Sequence, residues 1–102
     1  MKYALTLTLG LATLAAAPAA FASQDLAQKK MCMACHALDK KIVGPAYKDV
    51  AAKYAKDKDA YKKLAEKIQK GSNGAWGQVP MPANNVTPAE AETLAKWVLT
   101  VK

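Results

Sequence analysis

Two cysteines and one histidine are the only residues of their types in this 102-residue chain, and all three fall within five consecutive positions. Cys32 and Cys35 are three residues apart, about one helical turn, and His36 follows directly. Two thiols at this spacing can bond to one edge of a flat molecule, while the imidazole binds a metal ion from the same side. By chance such a cluster would arise on the order of once in several thousand sequences.

The C-x-x-C-H pattern at 32–36 is the attachment motif of c-type haem. The thiols of Cys32 and Cys35 would add to the two vinyl groups of the porphyrin, and His36 would bind the iron. A thioredoxin-like C-x-x-C belongs near a βαβ unit, which is not visible here, and a zinc site needs four ligands. A plain disulfide would close only a tiny loop. The sequence therefore predicts one covalently bound haem c.

The second axial ligand of such an iron has one good candidate. Met1 is expected to leave with a signal peptide, and Met31 and Met33 are held on the attachment side. Met81 lies between two prolines, which fix φ on both sides and stiffen the segment. We therefore predict that His36 and Met81 are the iron ligands. A thioether favours Fe(II), and an iron with both axial positions filled suits electron transfer.

Other functions remain open at this point. An enzyme or gas sensor would need an open iron and therefore an unligated Met81. A thiol redox module without haem, or a structural subunit that merely contains haem, would also be compatible with the motif. The predicted ligand set favours an electron carrier that is not an enzyme.

Residues 1–22 have the features of a cleaved signal peptide. Lys2 supplies a positive start, residues 5–17 are uncharged, and Ala20-Phe21-Ala22 forms an A-x-A cleavage pattern. The apolar run is shorter than the ~20 residues that a membrane-spanning helix needs. We predict an exported, periplasmic protein whose domain is residues 23–102, without stable membrane insertion.

The chain is strongly basic: it has 15 lysines, no arginine and eight acidic residues, which gives a net charge of +7. Such a balance favours acidic partners, and export disfavours nucleic acid among them. Four lysines flank the attachment segment, at positions 29, 30, 40 and 41. We expect a monomer whose lysines steer it toward acidic patches on redox proteins.

The apolar spacing predicts an all-α fold. The predicted helices are 25–35, which runs into the cysteines, 47–55, one around 61–68 between a cap at Asp59 and a stop at Gly71, and a last one. The last helix starts with the capping sequence Thr87-Pro88-Ala89-Glu90. Its apolar stripe consists of Ala91, Leu94, Ala95, Val98 and Val101, with Trp97 beside it. Residues 37–46 and 71–86 are predicted loops, and the second is long enough to suggest a functional role.

Nearly all of the chain after residue 22 resembles the short class I cytochromes c of bacterial periplasms. The resemblance runs from Lys30 and C-M-A-C-H through V-G-P-A-Y at 43–47, G-A-W-G at 74–77 and P-M-P-A-N at 80–84 to L-A-K-W-V at 94–98. It implies a small class I cytochrome c fold, in which about four short helices wrap round one covalently bound haem.

The resemblance also implies roles for individual residues. The Pro45 carbonyl would accept a hydrogen bond from His36 Nδ1 and fix the imidazole. Trp76 would donate its indole N–H to a haem propionate, and Asn84 would form a hydrogen bond near the Met81 sulfur.

The family resemblance further implies close-packing roles for Gly44 and Trp97. It suggests a cytochrome bc complex as electron donor, and a nitrite reductase, terminal oxidase or peroxidase as acceptor.

Overall fold

The computed structural model describes Gly10 and residues 19–102, so the predicted signal peptide lies mostly outside the described residues. Four α-helices are present in this part of the chain: α1 Ala19–Lys29, α2 Tyr47–Lys53, α3 Ala60–Lys70 and α4 Pro88–Val98. A 3₁₀ turn, Cys32–Ala34, lies between α1 and α2. Among these residues, strand-like pairing is limited to two isolated bridges. The all-α prediction is confirmed.

Helix α4 begins as its sequence predicts. The Thr87 hydroxyl accepts a hydrogen bond from the Glu90 backbone N–H (3.1 Å), and the Glu90 carboxylate accepts one from the Thr87 N–H (2.9 Å). This reciprocal box satisfies two backbone donors that a helix start otherwise leaves unpaired. Pro88 occupies the first helical position, where a missing N–H costs nothing. The start of α4 is therefore fixed by local chemistry.

The core forms where α4 packs on α3 and α1. The buried cluster consists of Ala27, Tyr47, Val50, Leu64, Leu94, Ala95, Trp97 and Val98. Trp97 contacts Tyr47 edge to face, with ring centroids 5.3 Å apart, an arrangement that aromatic pairs prefer. Val101, predicted to continue the α4 stripe, lies beyond the end of the helix and is half-buried. These packed helices support the two loops, 37–46 and 71–86.

The first helix differs from the prediction of 25–35. Helix α1 ends at Lys29, and Met31 adopts a left-handed conformation with φ of 65°. A residue in that region cannot continue a right-handed helix, so the cysteines start a separate 3₁₀ turn. Helix α1 also begins at Ala19, which places the predicted cleavage after Ala22 inside it.

Two smaller differences concern α2 and α3. Helix α2 ends at Lys53, not at residue 55. The Asp59 side chain makes no capping hydrogen bond to α3. The Asp57 carboxylate instead accepts a hydrogen bond from the Asp59 N–H (2.9 Å) and pairs with Lys63. Gly71 ends α3 with a positive φ of 85°, as its role as a stop signal predicts.

Candidate functional site

The attachment motif is folded into a tight turn that backbone hydrogen bonds hold together. The N–H groups of Cys35 and His36 both donate to the Cys32 carbonyl, at 3.2 and 3.0 Å. This holds both cysteines and the histidine on one compact unit. Both thiols are free and half-buried.

His36 is buried and its ring is fixed from two directions. Its Nδ1 lies 2.8 Å from the Pro45 carbonyl oxygen, which can only accept a hydrogen bond. Nδ1 therefore carries the proton, and Nε2 keeps the lone pair that a metal ion requires. The Tyr47 ring stacks on the imidazole with centroids 4.8 Å apart. The structure thus brings Pro45 to His36 in the predicted pairing.

Gly44 makes room for the His36 ring. Its N–H donates to the Cys35 carbonyl at 2.7 Å, which draws this backbone against the attachment turn. A Cβ atom at position 44 would lie 2.5 Å from Cε1 and 2.9 Å from Nδ1 of His36. Side chains do not approach this closely, so only glycine fits beside the imidazole as it stands.

Met81 is held in the 71–86 loop by its backbone. Ser72 and Met81 exchange two hydrogen bonds, one from each N–H, at 2.9 and 2.8 Å. Gly71 lies against this bridge, where a Cβ would come within 2.7 Å of the Met81 carbonyl oxygen. The loop is therefore closed at its base, directly after α3, and Met81 projects from that closure.

We expect replacement of Gly71 by alanine to displace Met81. Gly74→Ala is a matched control, because both glycines have φ near +80° but no atom lies within 4 Å of a Cβ at Gly74. Both variants should lose about 1–3 kcal/mol of unfolding free energy, because an L side chain is strained at a positive φ. Only Gly71→Ala should lose a further ~1–3 kcal/mol from the clash and shift the Met81 methyl signal in NMR spectra. Equal losses and an unmoved signal would contradict this expectation.

Asn84 ties the far side of the same loop to α3. Its backbone N–H and its side-chain Nδ2 both donate to the Ile68 carbonyl, at 3.2 and 2.9 Å. Nδ2 also lies 3.3 Å from the Pro82 carbonyl. The amide thus satisfies one of the carbonyls that the end of α3 leaves unpaired. A hydrogen bond from Asn84 toward the Met81 sulfur, implied by the resemblance, stays a prediction.

Most of these residues line a single cavity of about 340 Å³. Its walls come from the attachment turn, residues 41–45, α2, α3, residues 72–82 and α4. Both cysteines, His36, Pro45, Trp76 and Met81 line it; Asn84 lies just outside, on the loop end that α3 anchors. Trp76 is 40% exposed and therefore lies at the rim.

Two polar groups of the cavity wall, the Cys32 thiol and the Tyr47 hydroxyl, are kept uncharged by burial. Burial raises the pKa of the Cys32 thiol, against a smaller lowering by its hydrogen bond with Tyr47. Burial also raises the pKa of the Tyr47 hydroxyl, well above its ordinary value. At neutral pH both groups are neutral, so apolar walls such as Leu64, Leu94 and Val98 face no buried charge from them.

The donor set fits a haem. Two free thiols on one turn, one imidazole with an available Nε2, and one thioether line a single cavity with largely apolar walls. Gly44 keeps this space open next to the imidazole. No cluster of three or more His, Cys, Asp or Glu side chains that could hold a metal ion occurs among the described residues. The two thiols, the imidazole and the thioether are thus the groups that attachment of a porphyrin in this cavity would require.

Some contributors carry no recognisable sequence pattern. Ser72 supports Met81 through backbone atoms alone, so its residue type gives no signal. Lys67 lines the cavity and donates to the Tyr54 hydroxyl at 3.0 Å. For Ser72, the only sequence signal is that it lies in the long loop that also carries Met81.

Residues 22–102 match the family model described as "Cytochrome c". The chain is 54% identical to cytochrome c-552 of Hydrogenobacter thermophilus over 99% of this chain and 98% of the relative. It is 52% identical to cytochrome c-552 of Nitrosomonas europaea over the full length of both. The crystal structure of wild-type Nitrosomonas europaea cytochrome c552 superposes with a TM-score of 0.76 and 57% identity. That match covers 78% of this chain and 99% of the solved one.

Proposed function

Because this chain belongs to the cytochrome c family, as a small class I electron-carrier cytochrome, we propose that it shuttles single electrons in the periplasm. The proposal rests on one observation: Cys32, Cys35, His36 and Met81 all line the same cavity. Three of these residues lie together in the chain, but Met81 is brought to them by the fold. The proposed haem c would be the redox centre.

The chain's own residues would hold that group in distinct ways. Cys32 and Cys35 would bind it covalently, and His36 would offer Nε2 because Pro45 occupies Nδ1. Met81 would supply the second protein ligand to the iron from a loop whose base is closed by hydrogen bonds. When bound, haem supplies reversible one-electron chemistry, and a Met/His ligand pair raises its potential.

This ligand set supports a carrier over an enzyme. With His36 and Met81 both bound, the iron would offer no vacant position to a substrate or a gas. The attachment turn and the anchored loop would also change little between oxidation states, because each is fixed by several backbone hydrogen bonds. A small structural response favours fast electron exchange.

Periplasmic location is supported by the N-terminal pattern and by the relatives. The full-length Nitrosomonas europaea relative matches all of this chain, whereas the solved form of that protein covers only 78% of it. That share corresponds in length to the predicted domain, 23–102. Ser23, the first residue of that predicted domain, is buried. No helix in the described part of the chain has the length and apolarity to cross a bilayer.

The proposed partners are redox proteins with acidic surfaces, such as a cytochrome bc complex as donor. Nitrite reductase, a terminal oxidase or a peroxidase are the proposed acceptors. Of the four lysines expected to steer them, Lys29 pairs with Asp25 at 3.1 Å and Lys30 lies 3.6 Å from Glu90. Lys40 and Lys41 have no such partner among the described residues, and Lys41 lines the cavity. Steering is therefore assigned mainly to this second pair.

The proposal is tested by stopped-flow electron exchange with an acidic redox protein. The chain recovered from cells that mature c-type haem should exchange electrons, and its rate constant should fall about tenfold between 0.01 and 0.5 M salt. The paired variant Cys32→Ser, Cys35→Ser should carry no covalent haem by mass spectrometry. Wild-type protein whose mass equals that of its amino acids alone would refute the proposal. A rate that is independent of salt would refute the steering.

A further inference from the structure

Residues 73–80 form the part of the cavity wall with the fewest attachments to the rest of the protein. Gly74 and Gly77 both have positive φ and open space around them, so this backbone meets little steric restraint. The bridge between Ser72 and Met81 closes the segment at its ends. Between these ends, a single hydrogen bond joins residues 73–80 to the rest of the described chain, and it comes from Lys53.

Lys53 makes two contacts with this segment from the last turn of α2. Its Nζ donates to the Ala75 carbonyl at 3.0 Å, and the same atom lies 4.5 Å from the centroid of the Trp76 ring. A cation over an aromatic face is attracted by the ring quadrupole, most strongly for tryptophan. One ammonium group therefore holds both the backbone before Trp76 and the ring itself.

The loop itself explains why the contact takes this form. Residues 71–86 contain no charged side chain, so no carboxylate is available to pair with a lysine. A carbonyl oxygen and a ring face are the groups that such a segment can offer to a cation. Five other lysines in the described part of the chain instead pair with a carboxylate, as Lys96 does with Glu92.

We propose that Lys53 is a positioning residue that holds Trp76 at the rim of the cavity. This inference rests on the proposed function in taking the cavity as the haem site. With the ammonium in place, the indole is kept against the rim and segment 73–80 stays on the protein. Without it, the ring and its glycine-flanked backbone would sample open positions, and water would reach the indole N–H more often.

Hydrogen exchange of the two indole N–H groups tests this in the reduced, haem-loaded protein by NMR. Trp97, which is buried beside Tyr47, is the internal reference. In Lys53→Met the Trp76 indole should exchange about three- to tenfold faster, as expected for loss of a cation–π contact and a hydrogen bond. Lys53→Arg keeps the cation and the donor and should restore the wild-type rate. Lys56→Met removes an exposed lysine without an ion-pair partner among the described residues, and should change neither signal.

An unchanged Trp76 exchange rate in Lys53→Met would overturn the proposal. Equal acceleration of Trp97, or the same acceleration in Lys56→Met, would also overturn it, because the effect would then be global or due to net charge. These outcomes are separate from a failure of the proposed function. Loss of electron exchange with partners would leave the exchange rates of the indoles untouched.

Discussion

Replacing Met81 by leucine is expected to remove the weak far-red sulfur-to-iron absorption of the oxidised protein and to lower its reduction potential. Leucine keeps the volume of the side chain but has no donor atom, so the substitution isolates the thioether. A soft sulfur ligand stabilises Fe(II), and axial ligands tune haem potentials over a range of about 0.8 V. We therefore expect a decrease on the order of 0.1 V or more, measured by spectroelectrochemical titration.

Met33→Leu is the matched control, since it removes a thioether from the attachment turn, where the side chain packs against the core. It should leave the far-red band and the potential close to wild type. The Met81→Leu protein should also bind added imidazole or carbon monoxide, because one axial position would be open. If Met81→Leu retains the band and refuses added ligands, another residue binds the iron and the predicted ligand pair is wrong.

The parts of the site that could be predicted are those encoded by neighbouring residues. The Cys32 to His36 motif needs only a tight turn, so its spacing alone specifies the chemistry. The start of α4 is similar, because Thr87 and Glu90 satisfy each other's backbone without help from the rest of the fold. Local patterns of this kind identify the fold class and the attachment site.

The support of Met81 could not be predicted, because it depends on backbone contacts between distant parts of the chain. Ser72 bonds through its N–H and carbonyl, which every residue except proline possesses. Gly71 could be predicted as a helix stop, but its second role, the close approach to Met81, exists only in the folded loop. Proximity of this kind follows from tertiary packing.

The error in the first helix has a different cause. Residues 25–35 contain no proline or glycine that would mark a break, and their apolar pattern is weak. The break is made by Met31, a residue type that rarely adopts a positive φ. The contact of Lys53 with Trp76 could not be predicted either, because nothing in the sequence distinguishes Lys53 from an ordinary solvent-exposed lysine on a helix.

Replacing Gly44 by alanine is expected to disturb His36 and to destabilise the protein more than Met33→Leu or Val43→Ala does. The new methyl group would overlap the imidazole, at 2.5 Å from Cε1 and 2.9 Å from Nδ1. The clash involves a ring that is stacked on Tyr47 and tied to Pro45, so the ring cannot turn away freely. The N–H of Gly44 also donates to Cys35, which prevents the backbone from retreating without loss of that bond.

Overpacking of this kind costs about 1–3 kcal/mol, and loss of the hydrogen bond from Nδ1 to Pro45 would add about 1 kcal/mol. We expect chemical denaturation to show a decrease within that combined range, and the His36 Nδ1–H resonance to shift or to exchange with water faster. Val43→Ala is the control, because it shortens the exposed neighbouring side chain and leaves the space beside His36 unchanged. A Gly44→Ala protein with wild-type stability and an unmoved Nδ1–H signal would mean that the attachment turn yields easily. In that case the orientation of His36 would be set by the bound haem and only weakly by the contact with Pro45.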